Sequence, residues 1–135
     1  MAVFGLPVFG QRKEIEKQKI QGEEKEMKII IVGCGKVGAT LAEQLSNEGN
    51  DIVIVDKDAE KVQDISNACD IMGVVGSGSS HNVQLEAGIR EANLLIAVTG
   101  SDELNLLCCL IAKKAGNGCQ TIARVRNPEL SLIHI

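Results

Sequence analysis

Short aliphatic runs alternate with amphipathic stretches along the chain from Met27 onward. The runs have the length and the β-branched content of buried strands. They are KIIIV (28–32), DIVIV (51–55), IMGVV (71–75), LLIAV (94–98) and QTIARV (120–125). Because they are apolar with little alternation, they are typical of a parallel sheet that is buried on both faces.

The stretches between the runs carry apolar side chains at helical spacing. Val37, Leu41 and Leu45, for example, fall on one face of a helix. Helices are predicted over 37–47, 58–68 and 102–115, and the last is apolar almost all round, so we expect it to be buried against more than one surface. Residues that commonly end helices stand at the expected places: Gly49 after the first helix, Asp58 before the second, and Ser101 or Asp102 before the third.

Strands and helices alternate with short connections, which requires parallel pairing and right-handed crossovers. The sequence therefore predicts an α/β fold of the Rossmann type, a doubly wound parallel sheet with strand order 3-2-1-4-5. Its ligand crevice is expected where the order reverses, beside strands one and four. A full dinucleotide-binding sheet adds a sixth strand, so we expect a chain that is truncated after the fifth strand or that a neighbour completes.

Residues 1–26 differ from the rest in composition. A short apolar stretch with Gly and Pro precedes a dense mixture of both charge signs, QRKEIEKQKIQGEEKE. Such a segment has too little apolar surface to fold alone. We interpret 1–26 as an extension, either a natural disordered tail or a tether derived from a fused partner, and 27–135 as one nucleotide-binding domain.

A glycine loop with the pattern G-x-G-x-x-G follows the first predicted strand. Its residues are Gly33, Cys34, Gly35, Lys36, Val37 and Gly38. In a loop that joins a strand to a helix, the first glycine permits a tight turn, the second lets the backbone approach a pyrophosphate, and the third lets the helix pack closely. The N–H groups and the dipole of that helix then face the phosphates. The alternative is a glycine-rich turn of structural use alone.

An acidic residue ends the second strand. Asp56 follows Gly38 at close to the roughly 20-residue interval at which an acid binds the ribose hydroxyls. A carboxylate there repels a 2′-phosphate and so favours NAD(H) over NADP(H), although the adjacent Lys57 opposes that preference. A role for Asp56 in the turn or as a helix cap is the alternative. Lys36 either reaches a phosphate or is simply solvated.

Three further segments are expected to reach the crevice. Thr99 and Gly100 follow the fourth strand and are placed to meet a phosphate or the distal ribose. Ser77 either lines the adenine pocket or belongs to a flexible serine-rich connection. Arg124, near the end of strand five, is a costly charge to bury unless it meets an anion. A ligand phosphate is one candidate, and the acidic residues that open the third helix are the other.

The composition excludes several classes of function. The net charge of −4 argues against nucleic-acid binding, which relies on lysine and arginine. Five cysteines include no C-x-x-C pair, so neither a disulfide framework nor a metal site is expected. Two histidines, without triad or paired-carboxylate spacing, predict no catalytic site. Cys34 is either activated by the helix N-terminus or a small filler residue.

Four segments together resemble the N-terminal nucleotide-binding domain of Trk-type potassium uptake regulators, also called the KTN or RCK domain. In order, they are MKIIIVGCGKVGATLAEQLSNEGNDIVIVDKD, IMGVVGSGSSHNVQLEAGI, LLIAVTGSDELNLLCCLIAKKAG and TIARVRNPE. The resemblance extends from Met27 to about Leu130. It implies nucleotide contacts by Gly33 to Val37, by Asp56, by Thr99 and Gly100, and by Arg124.

The resemblance also implies a cytoplasmic regulatory subunit and not an enzyme. Members of the family assemble into dimers and rings beneath a membrane potassium transporter or channel, and NAD(H), or alternatively ATP or ADP, changes the shape of the ring. The sequence departs from the family pattern in its extension and in the absence of a C-terminal ligand-binding domain. The competing hypothesis is a fragment of an NAD-dependent oxidoreductase whose catalytic half is missing.

Overall fold

A computed structural model describes residues 2–3, 6–7, 26–115 and 117–130. Strands and helices alternate from Lys28 onward as the sequence predicts, whereas the two short strands before residue 8 were not predicted. They are β1 (Ala2–Val3), β2 (Leu6–Pro7), β3 (Lys28–Val32), α1 (Lys36–Asn47), β4 (Asp51–Asp56), α2 (Ala59–Cys69), β5 (Met72–Val75), α3 (His81–Glu86), β6 (Leu94–Ala97), α4 (Asp102–Lys114) and β7 (Gln120–Val125).

The strands form one sheet in the order β2-β1-β7-β6-β3-β4-β5. Strands β3 to β7 are parallel to one another, and their order confirms the predicted 3-2-1-4-5 arrangement of a Rossmann-like fold. The two-residue strand β1 pairs antiparallel with the outer edge of β7, and β2 pairs antiparallel with β1. The interpretation of 1–26 as an extension stays a prediction, because residues 1, 4–5 and 8–25 lie outside the described part of the chain.

Two aliphatic clusters fill the two faces of the sheet. Ile30 and Val32 of β3 belong to the cluster beneath α3 and α4, whereas Ile29 and Ile31 belong to the cluster beneath α1 and α2. Side chains of a strand point alternately to opposite faces, so a strand in the middle of this sheet must be apolar at every position. The buried sheet predicted from the aliphatic runs is therefore confirmed.

The predicted helix ends are confirmed as well. Gly49 has a positive φ of 89° and follows α1, with its N–H bonded to the carbonyl of Ser46. The Asp58 carboxylate caps α2, and the Ser101 hydroxyl, one of the two candidates, caps α4 by accepting the N–H of Leu104.

The expectation that α4 is buried against more than one surface stays a prediction. Its inward face packs against the sheet and α3, and Cys108 and Ala112 are buried there. On the outward face, Leu107 is 45% exposed. The helix belongs to an outer layer of the fold, so contacts within this domain cover only its inward face.

Candidate functional site

Gly33 lies in the narrow space where β3 leaves the sheet. Its φ is 118°, a conformation that favours glycine, and its N–H donates to the carbonyl of Val55 at 2.8 Å. A Cβ atom at this position would lie 3.0 Å from backbone atoms of Val98 and Thr99. Gly33 therefore allows the loop to pass between the ends of β4 and β6.

The other two glycines of the loop have different surroundings. A Cβ atom at Gly38 would collide with the carbonyl oxygen of Gly33, so α1 can pack this closely on the loop only without a side chain. At Gly35 a Cβ atom would meet no atom within 4 Å, and its φ is −72°. The protein itself therefore does not require glycine at position 35, whereas a ligand lying on the backbone there would.

The N-terminus of α1 is the one helix start among the described residues that lacks a side-chain cap. Gly35 is its N-cap, and no acidic residue lies in the first turn. By contrast, α2, α3 and α4 are capped by Asp58, Ser80 and Ser101. The first N–H groups of a helix have no partner within the helix, so those of α1 remain available for an anion.

Asp56, at the end of β4, is tied to the glycine loop. One carboxylate oxygen accepts the N–H of Cys34 at 2.8 Å, and the other accepts the N–H of Asp58 at 2.9 Å. Both predicted roles are compatible with this geometry. A carboxylate can accept about four hydrogen bonds, so each oxygen keeps capacity for a ribose hydroxyl while it fixes the loop.

A crevice of about 110 Å³ opens at the carboxyl ends of the strands, beside the glycine loop. Four of the predicted site residues line it together, namely Asp56, Lys57, Ser77 and Thr99. Its apolar wall is supplied by side chains of Val32, Val55 and Leu104. The structure thus brings the ends of β3, β4, β5 and β6 together where the strand order reverses, as predicted for the ligand crevice.

The serine-rich loop after β5 is ordered by its own hydrogen bonds. The hydroxyls of Ser77 and Ser79 lie 2.8 Å apart, and the N–H of Ser80 donates to the carbonyl of Ser77. Gln84, only 1% exposed, donates from its side-chain amide to the carbonyls of Gly78 and Cys108. Of the two alternatives for this loop, the lining of the crevice is the one that the structure supports.

The other eight predicted site residues lie outside the crevice lining, namely Gly33, Cys34, Gly35, Lys36, Val37 and Gly38 of the glycine loop, together with Gly100 and Arg124. Lys36 is exposed, and Val37 packs with the cluster beneath α1 and α2, so its side chain serves the core. Gly100 is exposed, and its carbonyl accepts the guanidinium of Arg126 at 2.9 Å. For Lys36 and Val37, the prediction of ligand contact therefore rests on their backbone N–H groups at the start of α1.

Arg124 is buried at the end of β7, and its partner differs from the acidic alternative. Its guanidinium donates to the carbonyl of Thr99 at 2.6 Å, and its Nε has no acceptor among the described residues. Asp102 instead accepts the backbone N–H of Arg126 and lies 3.9 Å from that guanidinium. Burial, and then the nearby charge of Arg126, lower the pKa of Arg124, while Asp102 opposes the shift.

Sequence reasoning missed Asn105. Its side chain is fully buried and bonds both Thr99 and the backbone of Arg124. The signal available was a polar residue on the inward stripe of α4, in line with Cys108, Cys109 and Ala112. A polar residue in such a stripe needs hydrogen-bonding partners when the helix packs, and the loop before the helix supplies them.

Cys34 is a filler residue and not an activated nucleophile. The thiol is buried, and desolvation raises its pKa to about 12, followed by the charges of Asp56 and Asp58. The partial positive charge of the helix end is outweighed, so the thiolate required for reactivity does not form near neutral pH.

Within the described residues, no group of His, Cys, Asp or Glu is arranged to hold a metal ion. No helix in that part of the chain is long and apolar enough to cross a membrane.

A sequence profile of the TrkA-N domain matches residues 29–133. The chain belongs to the TrkA-N family. The match runs from β3 past β7, so it includes the glycine loop, Asp56 and the whole crevice.

Several relatives are named Trk system potassium uptake protein TrkA. The protein of that name from Vibrio alginolyticus is 45% identical over 103 residues, and that from Halomonas elongata is 47% identical over 100 residues. The matches cover 76% and 74% of this chain, but only 22% of each relative. The TrkA homolog of Pyrococcus horikoshii is 33% identical over 102 residues, with 76% of this chain and 45% of the relative covered.

Solved structures share the fold. The TrkA-N domain of the inner membrane protein ybaL from Escherichia coli has a TM-score of 0.65 and 17% identity, covering 73% of this chain and 72% of its own. The NAD(P)-binding domain of an exopolyphosphatase-related protein from Archaeoglobus fulgidus has a TM-score of 0.65 at 18% identity, covering 77% of each chain. The AMP-bound Kef C-terminal domain from Shewanella denitrificans has a TM-score of 0.61 at 20% identity and covers 70% of this chain and 56% of its own.

Proposed function

We propose that this domain binds an adenine nucleotide, foremost NAD(H) with ATP or ADP as alternatives, and acts as a regulatory part of a potassium transport system. The observation that carries the proposal is the uncapped start of α1 beneath open space at Gly35, close to the Asp56 carboxylate. The N–H groups at this helix start would donate to the phosphates of a nucleotide, and the Asp56 carboxylate would accept hydrogen bonds from its ribose.

A nucleotide would lie across the crevice and contact several elements. Its phosphates would accept hydrogen bonds from the backbone N–H groups of Lys36 and Val37. Its ribose hydroxyls would donate hydrogen bonds to the carboxylate of Asp56. The adenine would rest near Ser77, and the far end of a dinucleotide near Thr99. The enclosed space of about 110 Å³ is smaller than the ~300–1,000 Å³ of typical ligand pockets, so much of the ligand would remain on the open surface.

The regulatory role rests on the relatives named as potassium uptake proteins. In this proposal the domain works on the cytoplasmic side of the membrane as part of a dimer or ring beneath a transporter. A nucleotide shifts the shape of such an assembly only by binding one arrangement more tightly. To shift the ratio of two arrangements of the assembly from 1:99 to 99:1, the nucleotide must bind the favoured arrangement more tightly by about 5.5 kcal/mol. Several copies of the site would supply this preference jointly.

Calorimetric titration with NAD⁺, NADH, ATP and ADP tests the binding proposal. We expect saturable binding of at least one of these nucleotides and at least tenfold weaker binding by Asp56→Ala, because the variant loses the ribose acceptor and the anchor of the Cys34 N–H. Asp51→Ala is the matched control, since Asp51 is an exposed carboxylate at the opposite end of the same strand. Equal affinities of the folded Asp56→Ala variant and the unaltered protein would contradict the assignment.

Incubation with NADH and a panel of carbonyl substrates separates this function from a fragment of an oxidoreductase. We expect binding without oxidation of NADH, because the crevice lining includes no histidine and its one carboxylate, Asp56, already holds the glycine loop. Turnover at a rate proportional to protein concentration would favour the oxidoreductase and reject a purely regulatory domain.

A further inference from the structure

The side-chain amide of Asn105 is fully used within the protein. Its oxygen accepts the N–H of Thr99 at 2.8 Å and the Thr99 hydroxyl at 2.7 Å. Its nitrogen donates to the carbonyl of Thr99 at 3.2 Å and to the carbonyl of Arg124 at 2.9 Å. An amide has two acceptor sites and two donors, so all four are occupied. Asn105 is also fully buried and has no group left for a ligand.

These bonds fix one crevice residue at three points. The N–H, the carbonyl and the hydroxyl of Thr99 all meet the same amide, and the carbonyl also accepts the Arg124 guanidinium. The fourth bond joins α4 to the end of β7 at the backbone of Arg124. A single buried side chain thus sets the position of Thr99, which lines the crevice, relative to the strand that carries Arg124.

We propose that Asn105 is a positioning residue that holds Thr99 and Arg124 in the arrangement the nucleotide requires. The inference rests on the proposed nucleotide binding. Without the amide, the loop after β6 has no partner for the Thr99 N–H and its carbonyl keeps only the guanidinium of Arg124. Thr99 and Arg124 would then reorganise together, and a ligand would have to restore the loop at the cost of affinity.

Asn50 provides a matched control for loss of a buried amide. It is 7% exposed, its nitrogen donates to the carbonyl of Leu45, and its oxygen accepts the N–H of Met27. It lies at the amino ends of the strands, at the opposite edge of the sheet from the crevice. Asn50→Ala therefore removes a buried amide with two hydrogen bonds, against four at Asn105, without touching the proposed site.

The test combines nucleotide titration with amide hydrogen exchange on Asn105→Ala, Asn50→Ala and the unaltered protein. We expect Asn105→Ala to bind NADH at least tenfold more weakly and Asn50→Ala to change affinity by less than twofold, although both variants lose stability. In Asn105→Ala the Thr99 N–H should lose its protection from exchange, while the N–H of Val98, bonded to Val32, keeps it. Asn105→Ser, which keeps a buried hydroxyl, replaces the alanine variant if that does not fold.

Each outcome decides a separate point. Unchanged affinity in a folded Asn105 variant overturns the inference, and so does an equal loss of affinity in Asn50→Ala, which would indicate stability alone. Absence of nucleotide binding by the unaltered protein rejects the proposed function instead. The inference then falls with that function, and protection of the Thr99 N–H that depends on Asn105 would show a structural contact alone.

Discussion

Gly35→Ser is expected to raise the stability of the domain and to weaken nucleotide binding. The backbone at position 35 has a φ of −72° and a ψ of −171°, which any residue adopts at a helix N-cap, and no atom obstructs a new Cβ. The introduced hydroxyl would accept the free N–H of Gly38, as Ser101 does for Leu104 in α4. The substitution thus supplies the cap that this helix start lacks.

The size of the gain follows from two contributions. Serine is better than glycine at an N-cap by a few tenths of a kcal/mol. Replacing glycine where its backbone is compatible also restricts the unfolded chain, which contributes about 0.4–1 kcal/mol. Together they amount to about 1 kcal/mol, or about 4 °C in Tm for a domain of this size.

The effect on the nucleotide has the opposite sign. The serine side chain would occupy the space above Gly35 and compete for the N–H groups that the phosphates need, so we expect at least tenfold weaker affinity, about 1.4 kcal/mol. Circular dichroism melting gives the change in Tm, and calorimetric titration with NADH gives the affinity. A Gly35→Ser protein that melts higher but binds NADH unchanged would refute the placement of the phosphates on this loop.

Two further predictions concern stability. Gly38→Ala should lower the free energy of unfolding by about 3 kcal/mol or more in urea denaturation, because its Cβ meets the backbone of Gly33. Burial raises the thiol pKa of Cys34 and Cys109 to about 12 in the folded protein. In the unfolded chain the same thiols ionise above about pH 8.5, whereas in the folded protein they stay protonated there. The contribution of these protonated thiols to stability is complete below about pH 8.5 and is lost as the pH rises toward about 12. Between these values the free energy of unfolding should fall by up to about 1.4 kcal/mol per pH unit for each thiol. Cys109→Ala should therefore make the free energy of unfolding less dependent on pH in this range.

Much of the fold could be predicted because it depends on local pattern and chain connectivity. The aliphatic runs predicted the bounds of β3 and β7 without error, and the doubly wound pattern of a Rossmann fold predicted the order of the five parallel strands. The predicted start of β5 at Ile71 was one residue early, since Ile71 continues the apolar run but the strand begins at Met72, which is 55% exposed. An edge strand has fewer neighbours, so its sequence is less constrained.

The hydrogen-bond partners within the site could not be predicted. Arg124 was expected to meet a phosphate or an acidic residue, but its protein partner is the carbonyl of Thr99, which depends on how the loop turns after β6. Asn105 and Gln84 are absent from the residues that the sequence predicts for the site, yet each holds a crevice loop through backbone carbonyls. Backbone acceptors are present at every residue, so the sequence gives no sign of which one a buried amide will use.

The most direct test of the nucleotide site is a two-dimensional ¹H–¹⁵N NMR titration of the protein with NADH. We predict that the largest shift changes fall on the amides of Gly35, Lys36 and Val37, at the uncapped start of α1, and on that of Gly100 beside the crevice. Changes confined to the opposite edge of the sheet, around Lys28 and Gly88, or no saturable change at all, would contradict the proposed site.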